Sequence, residues 1–370
     1  MTDNTNGSND NATTTQAIGS ANKQQSAQAL VVQTFSNSVL EQPDVDLSGF
    51  AALQTYGTEI NTGLNGAREH AHHYLNDIQP ALIGNISNIS DYYQLHQAIP
   101  SAVPPGSSKS DWLDVLHALE EQATGYQASA AGVLATLTTL HDTLSGDAKQ
   151  FSHFVTEMNS AVGGDNGVLA DLSNQIDAVR SRIDWAIAGA ALSGVAIAGG
   201  ALLTCVGGVA EFVTVGTSTP LVLAGVAIMS VGFVGAAGSA AGLITLYDAK
   251  ADLLRRQADL KEEVKLALGL QAGYNSLFGQ VSSAVTACSN MSNAWSSLSS
   301  DLQKLIAGLD RGDNPDTSDA VRRLLLGAAT QEVQTVLSDV STIKQQLAGV
   351  QQIVAQPGQL ITDLIRAHAA

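Results

Sequence analysis

Apolar and small residues recur at steps of three and four along much of the chain. From Leu116 the run passes through Leu119, Ala123, Tyr126, Ala130, Val133, Leu137, Leu140, Leu144, Ala148, Phe151, Val155, Met158 and Val162, which is heptad spacing. A second run holds Tyr274, Leu277, Val281, Val285, Cys288, Met291, Trp295, Leu298, Leu302, Leu305 and Leu309. A third takes Val333, Val336, Val340, Ile343, Leu347, Val350 and Val354. The stretch from Phe50 to Ile99 is helical with a rougher pattern, and Pro80 is expected to kink it. Pro100, Pro104, Pro105 and Gly106 are expected to end that helix, with Ser110 or Asp111 capping the next. Gly163, Gly164 and Gly167 form a second break. Asp310 to Asp316, with Gly312 and Pro315, form a third before a cap at Thr317 or Ser318. No run alternates convincingly as a strand does. The pattern predicts an all-α fold, an elongated antiparallel bundle of about five long helices, about 60 Å or more in length.

One stretch departs from this amphipathic pattern. Trp185 to Tyr247 is 63 residues long and carries a single charge, Glu211. It divides into 26 uncharged residues before Glu211 and 36 after it. A bilayer core of about 30 Å needs about 20 helical residues, so each half is long enough to span. The midpoint is Gly216, inside Thr214-Val215-Gly216-Thr217-Ser218-Thr219-Pro220, which is turn chemistry with Pro220 suited to open a second helix. Trp185 and Tyr247 then fall at one level, as interface aromatics do, with Arg180, Arg182, Lys250, Arg255 and Arg256 just outside. Glu211 falls near the tip, away from the mid-bilayer depth where an acid is costly, and Phe212 is expected among the membrane-inserting residues. Gly189 with Ser193, Gly194 with Ala198, and Gly238 with Gly242 recur at the spacing that lets helices approach closely in lipid. Neither half has a continuous polar stripe. The hairpin therefore suits lipid and other hairpins but makes a poor wall for an aqueous channel, which calls for an amphipathic partner.

Composition sharpens the contrast. The 370 residues hold 17 Lys and Arg against 34 Asp and Glu, a net charge of −17. No dense basic patch is present, which argues against nucleic acid and against polybasic attraction to anionic lipid. The two cysteines, Cys205 and Cys288, exclude a disulfide framework and a four-thiolate zinc site. Residues 1–21 are expected to be a disordered N-terminus, because Met1 to Thr15 is largely Asn, Thr, Asp and Ser. It has neither the basic start nor the apolar core of a secretory signal. The expected domains are a helical tail bundle from 22–184 and 248–370 and a membrane-inserting head hairpin over 185–247.

Candidate chemistry elsewhere is weak. Glu69-His70-Ala71-His72-His73 puts His70 and His73 on one helix face without a third firm ligand. Asp310, Asp313, Asp316 and Asp319 lack the glycine and terminal glutamate of a calcium loop and read as a capped acidic turn. Gly106-Ser-Ser-Lys109-Ser110 is no phosphate loop, since the first glycine and preceding strand are missing. Cys205, Cys288, Met291 and Trp295 read as apolar packing positions. No catalytic residue, cofactor site or metal site is expected.

Long heptad helices, a Gly/Ala/Val-rich hairpin and another very long helix resemble the cytolysin A type of α-helical pore-forming toxin. The resemblance spans about residues 22–355 and is nearest to the B component of tripartite toxins such as the haemolytic and non-haemolytic enterotoxins. It implies a tail bundle of about five helices whose head hides the apolar segment, then swings out, inserts and assembles into a ring. It also implies companion subunits, one of which supplies an amphipathic hairpin, and a secreted protein that ends in a target-cell membrane as a homo-oligomer with them. The head is expected to be two spanning helices rather than the β-tongue of the founding member. Three other readings compete: a translocator of a contact-dependent secretion system, a permanent two-span membrane scaffold, and a bundle with an unusually apolar core.

Overall fold

Helix α1 (Asn6–Glu41) takes in residues 6–21 of the N-terminus expected to be disordered, and residues 1–5 lie outside the described residues. Thr14, Thr15, Ile18 and Ala21 are already buried, and from Gln25 to Ser36 only Gln33 is even partly exposed. Its start has an exposed face at Gln16, Ala17, Ser20, Lys23 and Gln24, but the buried face is mostly Thr, Gly, Ala and Asn, so the sequence carries no apolar period there. The computed structural model describes residues 6–41, 44, 54–161, 163–164, 166–192, 203–206, 231–234, 242, 244–246, 248–249, 252–253, 262–311, 330–348, 351–354 and 361–368. After α1 come α2 (Gln54–His73), a π turn (Tyr74–Ile78), α3 (Gln79–Ala102), α4 (Lys109–Ala161) and α5 (Asn166–Leu192). Strands β1 (Leu203–Val206) and β2 (Val231–Val234) precede α6 (Glu262–Arg311), α7 (Thr330–Ala348), β3 (Gln351–Val354) and α8 (Ile361–His368). The fold is all-α in class, and the described residues form five long helical runs: α1, α2–α3, α4, α5 and α6. At 53 residues α4 is about 80 Å long.

The helix ends follow from local chemistry. Pro80 has no N–H for the helix ladder, and the chain accommodates it by widening the preceding turn into the π geometry of 74–78. Pro100 does not end α3 as expected. It lies in the last turn, where Val103 N still donates to the Ile99 carbonyl at 2.8 Å, and Pro104, Pro105 and a left-handed Gly106 (φ 90°) stop the helix. The cap of α4 is Ser108 rather than Ser110 or Asp111. Asp111 N donates to Ser108 Oγ at 3.2 Å and Ser108 N to Asp111 Oδ2 at 2.8 Å, a reciprocal capping box. Gly163, at φ 70°, ends α4, and the adjoining Gly164 N donates to the Asn159 carbonyl at 2.8 Å. The acidic turn expected at 310–316 and its cap at Thr317 or Ser318 lie outside the described residues beyond Arg311.

The chain divides into two compact units, with α1, α4 and α6 contributing to both. The first comprises 1–26, 80–136 and 284–347. Its core is aromatic: the Trp295 ring meets Tyr92 at 5.5 Å, edge to face, and Tyr126 at 5.2 Å. The heptad positions Leu116, Leu119, Ala123, Met291, Leu298 and Leu302 are buried around it. Polar ties join its helices. Lys109 Nζ donates to the Asp310 carbonyl at 2.8 Å, at the C-terminal end of α6, and Lys23 pairs with Asp339 at 3.0 Å.

The second unit comprises 27–79, 137–283 and 348–370. Val31, Val32, Phe35, Ile60, Leu64, Phe151 and Leu172 are among its buried residues. The Tyr74 hydroxyl, fully buried at the π turn, donates to the Ala29 carbonyl at 2.8 Å and so anchors that turn on α1. This unit also holds the three-stranded sheet.

Candidate membrane-insertion hairpin

Helix α5 leads into the apolar stretch. Trp185 and Gly189 belong to it, and it ends at Leu192. Beyond it, β1 and β2 pair antiparallel, with Leu203 opposite Val234 and Val206 opposite Val231. That register centres the hairpin between Ser218 and Thr219, close to the expected turn at Gly216. The strands themselves correct an expectation. Two helices are expected throughout the head, yet at these positions it is extended. Leu-Thr-Cys-Val and Val-Gly-Phe-Val are rich in β-branched and aromatic residues, and glycine follows each directly in the sequence, at Gly207-Gly208 and at Gly235. In water, strand pairing satisfies such backbone at lower cost than a glycine-loaded helix. In a bilayer the same segment must bond its own backbone, which favours helices.

A third strand joins from far along the sequence. The sheet order is β2-β1-β3, and β3 runs parallel to β1 with Cys205 opposite Ile353 and Val206 opposite Val354. The third heptad run is therefore not helical as far as Val354: α7 ends at Ala348, β3 joins the hairpin rather than a tail bundle, and Val350 lies outside the described residues. Gly349 breaks the helix pattern, and Val350, Ile353 and Val354 before Pro357-Gly358 form a short β-branched cluster. That cluster was the available signal, hidden because its spacing also fits a heptad. Helix α8 packs on β1 and β2, and α5 touches β2. Arg366 of α8 reaches Asp248, just past the hairpin, at 3.4 Å and Asp363 at 2.8 Å.

Gly242 is helical and exposed. Gly194, Ala198, Glu211, Phe212, Gly216, Pro220, Gly238 and Tyr247 lie outside the described residues, as do Lys250, Arg255 and Arg256. Among the described residues, no helix is long and apolar enough to cross a membrane. The histidine cluster does not converge: His70 bonds Asp147 of α4 at 2.9 Å, while His73 bonds Asp77 at 2.8 Å. The hydrogen bond to Asp147 raises the His70 pKa against the opposing effect of burial. Burial pushes the Cys288 thiol up to about 12, so it is a small apolar side chain and not a thiolate.

A family model described as Bacillus haemolytic enterotoxin (HBL) matches residues 12–185. Soluble SmhB of the tripartite α-pore-forming toxin Smh from Serratia marcescens is 38% identical, over 96% of this chain and 99% of that one, with a TM-score of 0.88. Soluble AhlB of the tripartite α-pore-forming toxin AHL from Aeromonas hydrophila is 41% identical, over 95% and 99%, with a TM-score of 0.86. The chain belongs to the B components of the tripartite α-pore-forming toxins. No curated protein matches it. The pore form of AhlB is 43% identical over 92% of this chain and 99% of that chain, yet its TM-score is 0.62. The B component described here thus has the fold of its soluble relatives. Membership displaces the secretion-translocator, permanent-scaffold and plain-bundle readings, and it sets the 63-residue apolar stretch in a family with both soluble and pore structures.

Proposed function

We propose that this chain is the membrane-inserting B subunit of a tripartite α-pore-forming toxin, secreted in a soluble form and acting by changing solvent rather than by catalysis. The observation that carries the reading is the pairing of a 63-residue stretch bearing one charge with near full-length similarity to soluble SmhB and AhlB. In the soluble form part of the stretch is held as β1 and β2, beneath α8. On a target membrane it leaves that sheet, becomes two spanning helices and assembles with copies of itself. Trp185 and Tyr247 lie at the interface, the small-residue pairs from Gly189 to Gly242 pack helices together, and Glu211, Gly216 and Pro220 cross to the far side at the tip. An apolar hairpin does not line water, so companion subunits, one with an amphipathic hairpin, complete the channel.

The test is dye leakage from phosphatidylcholine–cholesterol vesicles, with the chain alone and with the companion proteins encoded beside it. Leakage is expected to be weak alone and strong in the mixture. Ala198→Asp combined with Ala236→Asp puts one acid in each half, each costing about 2.5–3.5 kcal/mol near mid-bilayer. This variant is expected to keep the wild-type melting curve and lose leakage more than tenfold. A folded double variant with full leakage would refute insertion of the hairpin.

A further inference from the structure

We propose that strand β3 and helix α8 together form a latch on the hydrophobic hairpin, and that its release is an obligatory step before insertion. β1 is the central strand of the sheet, so its backbone is tied on one side to β2 and on the other to β3. The β1–β2 tie lies within the hairpin and can travel with it. The β1–β3 tie cannot, because it joins the hairpin to residues 351–354, four positions running parallel in register from Leu203↔Gln351 to Val206↔Val354. A β1 that becomes a lipid-spanning helix must turn its backbone hydrogen bonds inward, and every bond to β3 then has to break. Helix α8 makes the same attachment twice more. It packs across β1 and β2 together, and Arg366 joins it to Asp248 at the foot of the hairpin. Thr362 of α8 is 3% exposed, so this helix is seated rather than resting on the surface. Arg366 also bonds Asp363 one turn away, which fixes the guanidinium between the two acids.

This inference rests on the insertion reading, and the experiment separates the two. Cys205 stands opposite Ile353 in the register. Neighbouring strands lie about 4.8 Å apart, within the Cα separation that a disulfide spans. Ile353→Cys in the full-length chain therefore creates a reducible bridge to a native cysteine, formed with diamide and followed as a mobility shift on non-reducing gels. Conversion is read with phosphatidylcholine–cholesterol vesicles and companion subunits, by leakage and by flotation of the chain with the vesicles. The oxidised variant is expected to lose leakage at least tenfold and to recover on reduction, while wild type treated with diamide is unaffected. A folded variant that forms no bridge overturns the β1–β3 pairing. A fully bridged variant that leaks like wild type overturns the latch and leaves insertion standing. A wild type that neither floats nor leaks overturns insertion, and the latch with it. Should Ile353→Cys fail to fold, Leu203→Cys with Gln351→Cys in a Cys205→Ser background moves the bridge two positions along the same register and is judged by the same outcomes.

Discussion

Two histidines take opposite shifts for reasons visible in their surroundings. His70, on α2, is held by Asp147 of α4 with Glu69 alongside, and its pKa is raised above the ordinary 6.5. His96, on α3 and packed against the rings of Tyr92 and Tyr93, is lowered by burial alone. The signs then differ. The His70–Asp147 contribution to stability is complete below about 6.5 and is lost as pH rises through the raised folded value. His96 contributes above about 6.5, and that contribution is lost as pH falls through its lowered folded value. Melting curves between pH 5.5 and 8.5 check both. Asp147→Asn is expected to lower the melting temperature more at pH 5.5 than at 8.5, and His96→Phe to lose least at the acid end. Parallel pH profiles for wild type and both variants would show that neither site titrates as its environment implies.

Among the helices, close approach decides which glycines are structural. A Cβ on Gly19 of α1 would lie 2.9 Å from Val336 Cγ2 of α7, and valine is stiff at that torsion. Gly132, mid-helix in α4, has nothing within 4 Å of that position. Gly19→Ala is therefore expected to destabilise by about 1–2 kcal/mol despite its better helix propensity. Gly132→Ala is expected to stabilise by about 1 kcal/mol, both read from urea unfolding midpoints. The heptad positions Leu116, Leu137, Met291 and Val340 could be read from spacing alone because each helix there has one buried face. The start of α1 could not, since its buried face is Thr14, Thr15, Gly19, Ala21 and Asn22 with Ile18 the one large apolar residue, so no apolar stripe marks it although Gln16, Ala17, Ser20, Lys23 and Gln24 form an exposed one. The strand β3 escaped for a different reason. Val350 and Val354 suit both a heptad and an extended segment, and only pairing with β1 across the sequence decides between them. The apolar span itself was plain from charge vacancy, whereas its fold in water depends on partners that periodicity does not record.

At the scale of the whole molecule, the acid excess and the apolar hairpin act on different lipids. A net charge of −17 repels a phosphatidylserine surface, and salt screens that repulsion over about 8–10 Å. Flotation with phosphatidylserine-rich vesicles is expected to rise severalfold between 20 and about 300 mM salt. Binding to pure phosphatidylcholine should barely change, and a fall with salt on anionic vesicles would point to basic attraction instead. The parallel register between β1 and β3 also imposes an order on the protein's synthesis. Residues 203–234 leave the ribosome about 120 residues ahead of Gln351, which at ~5–20 residues per second is about 6–24 seconds. For that interval a nearly uncharged stretch exists without the strand that later completes its sheet. The chain is therefore most able to insert into the wrong membrane, that of the cell making it, before it is finished. Translational pausing between α6 and β3 would lengthen the exposure, and a nascent-chain chaperone would be needed most there.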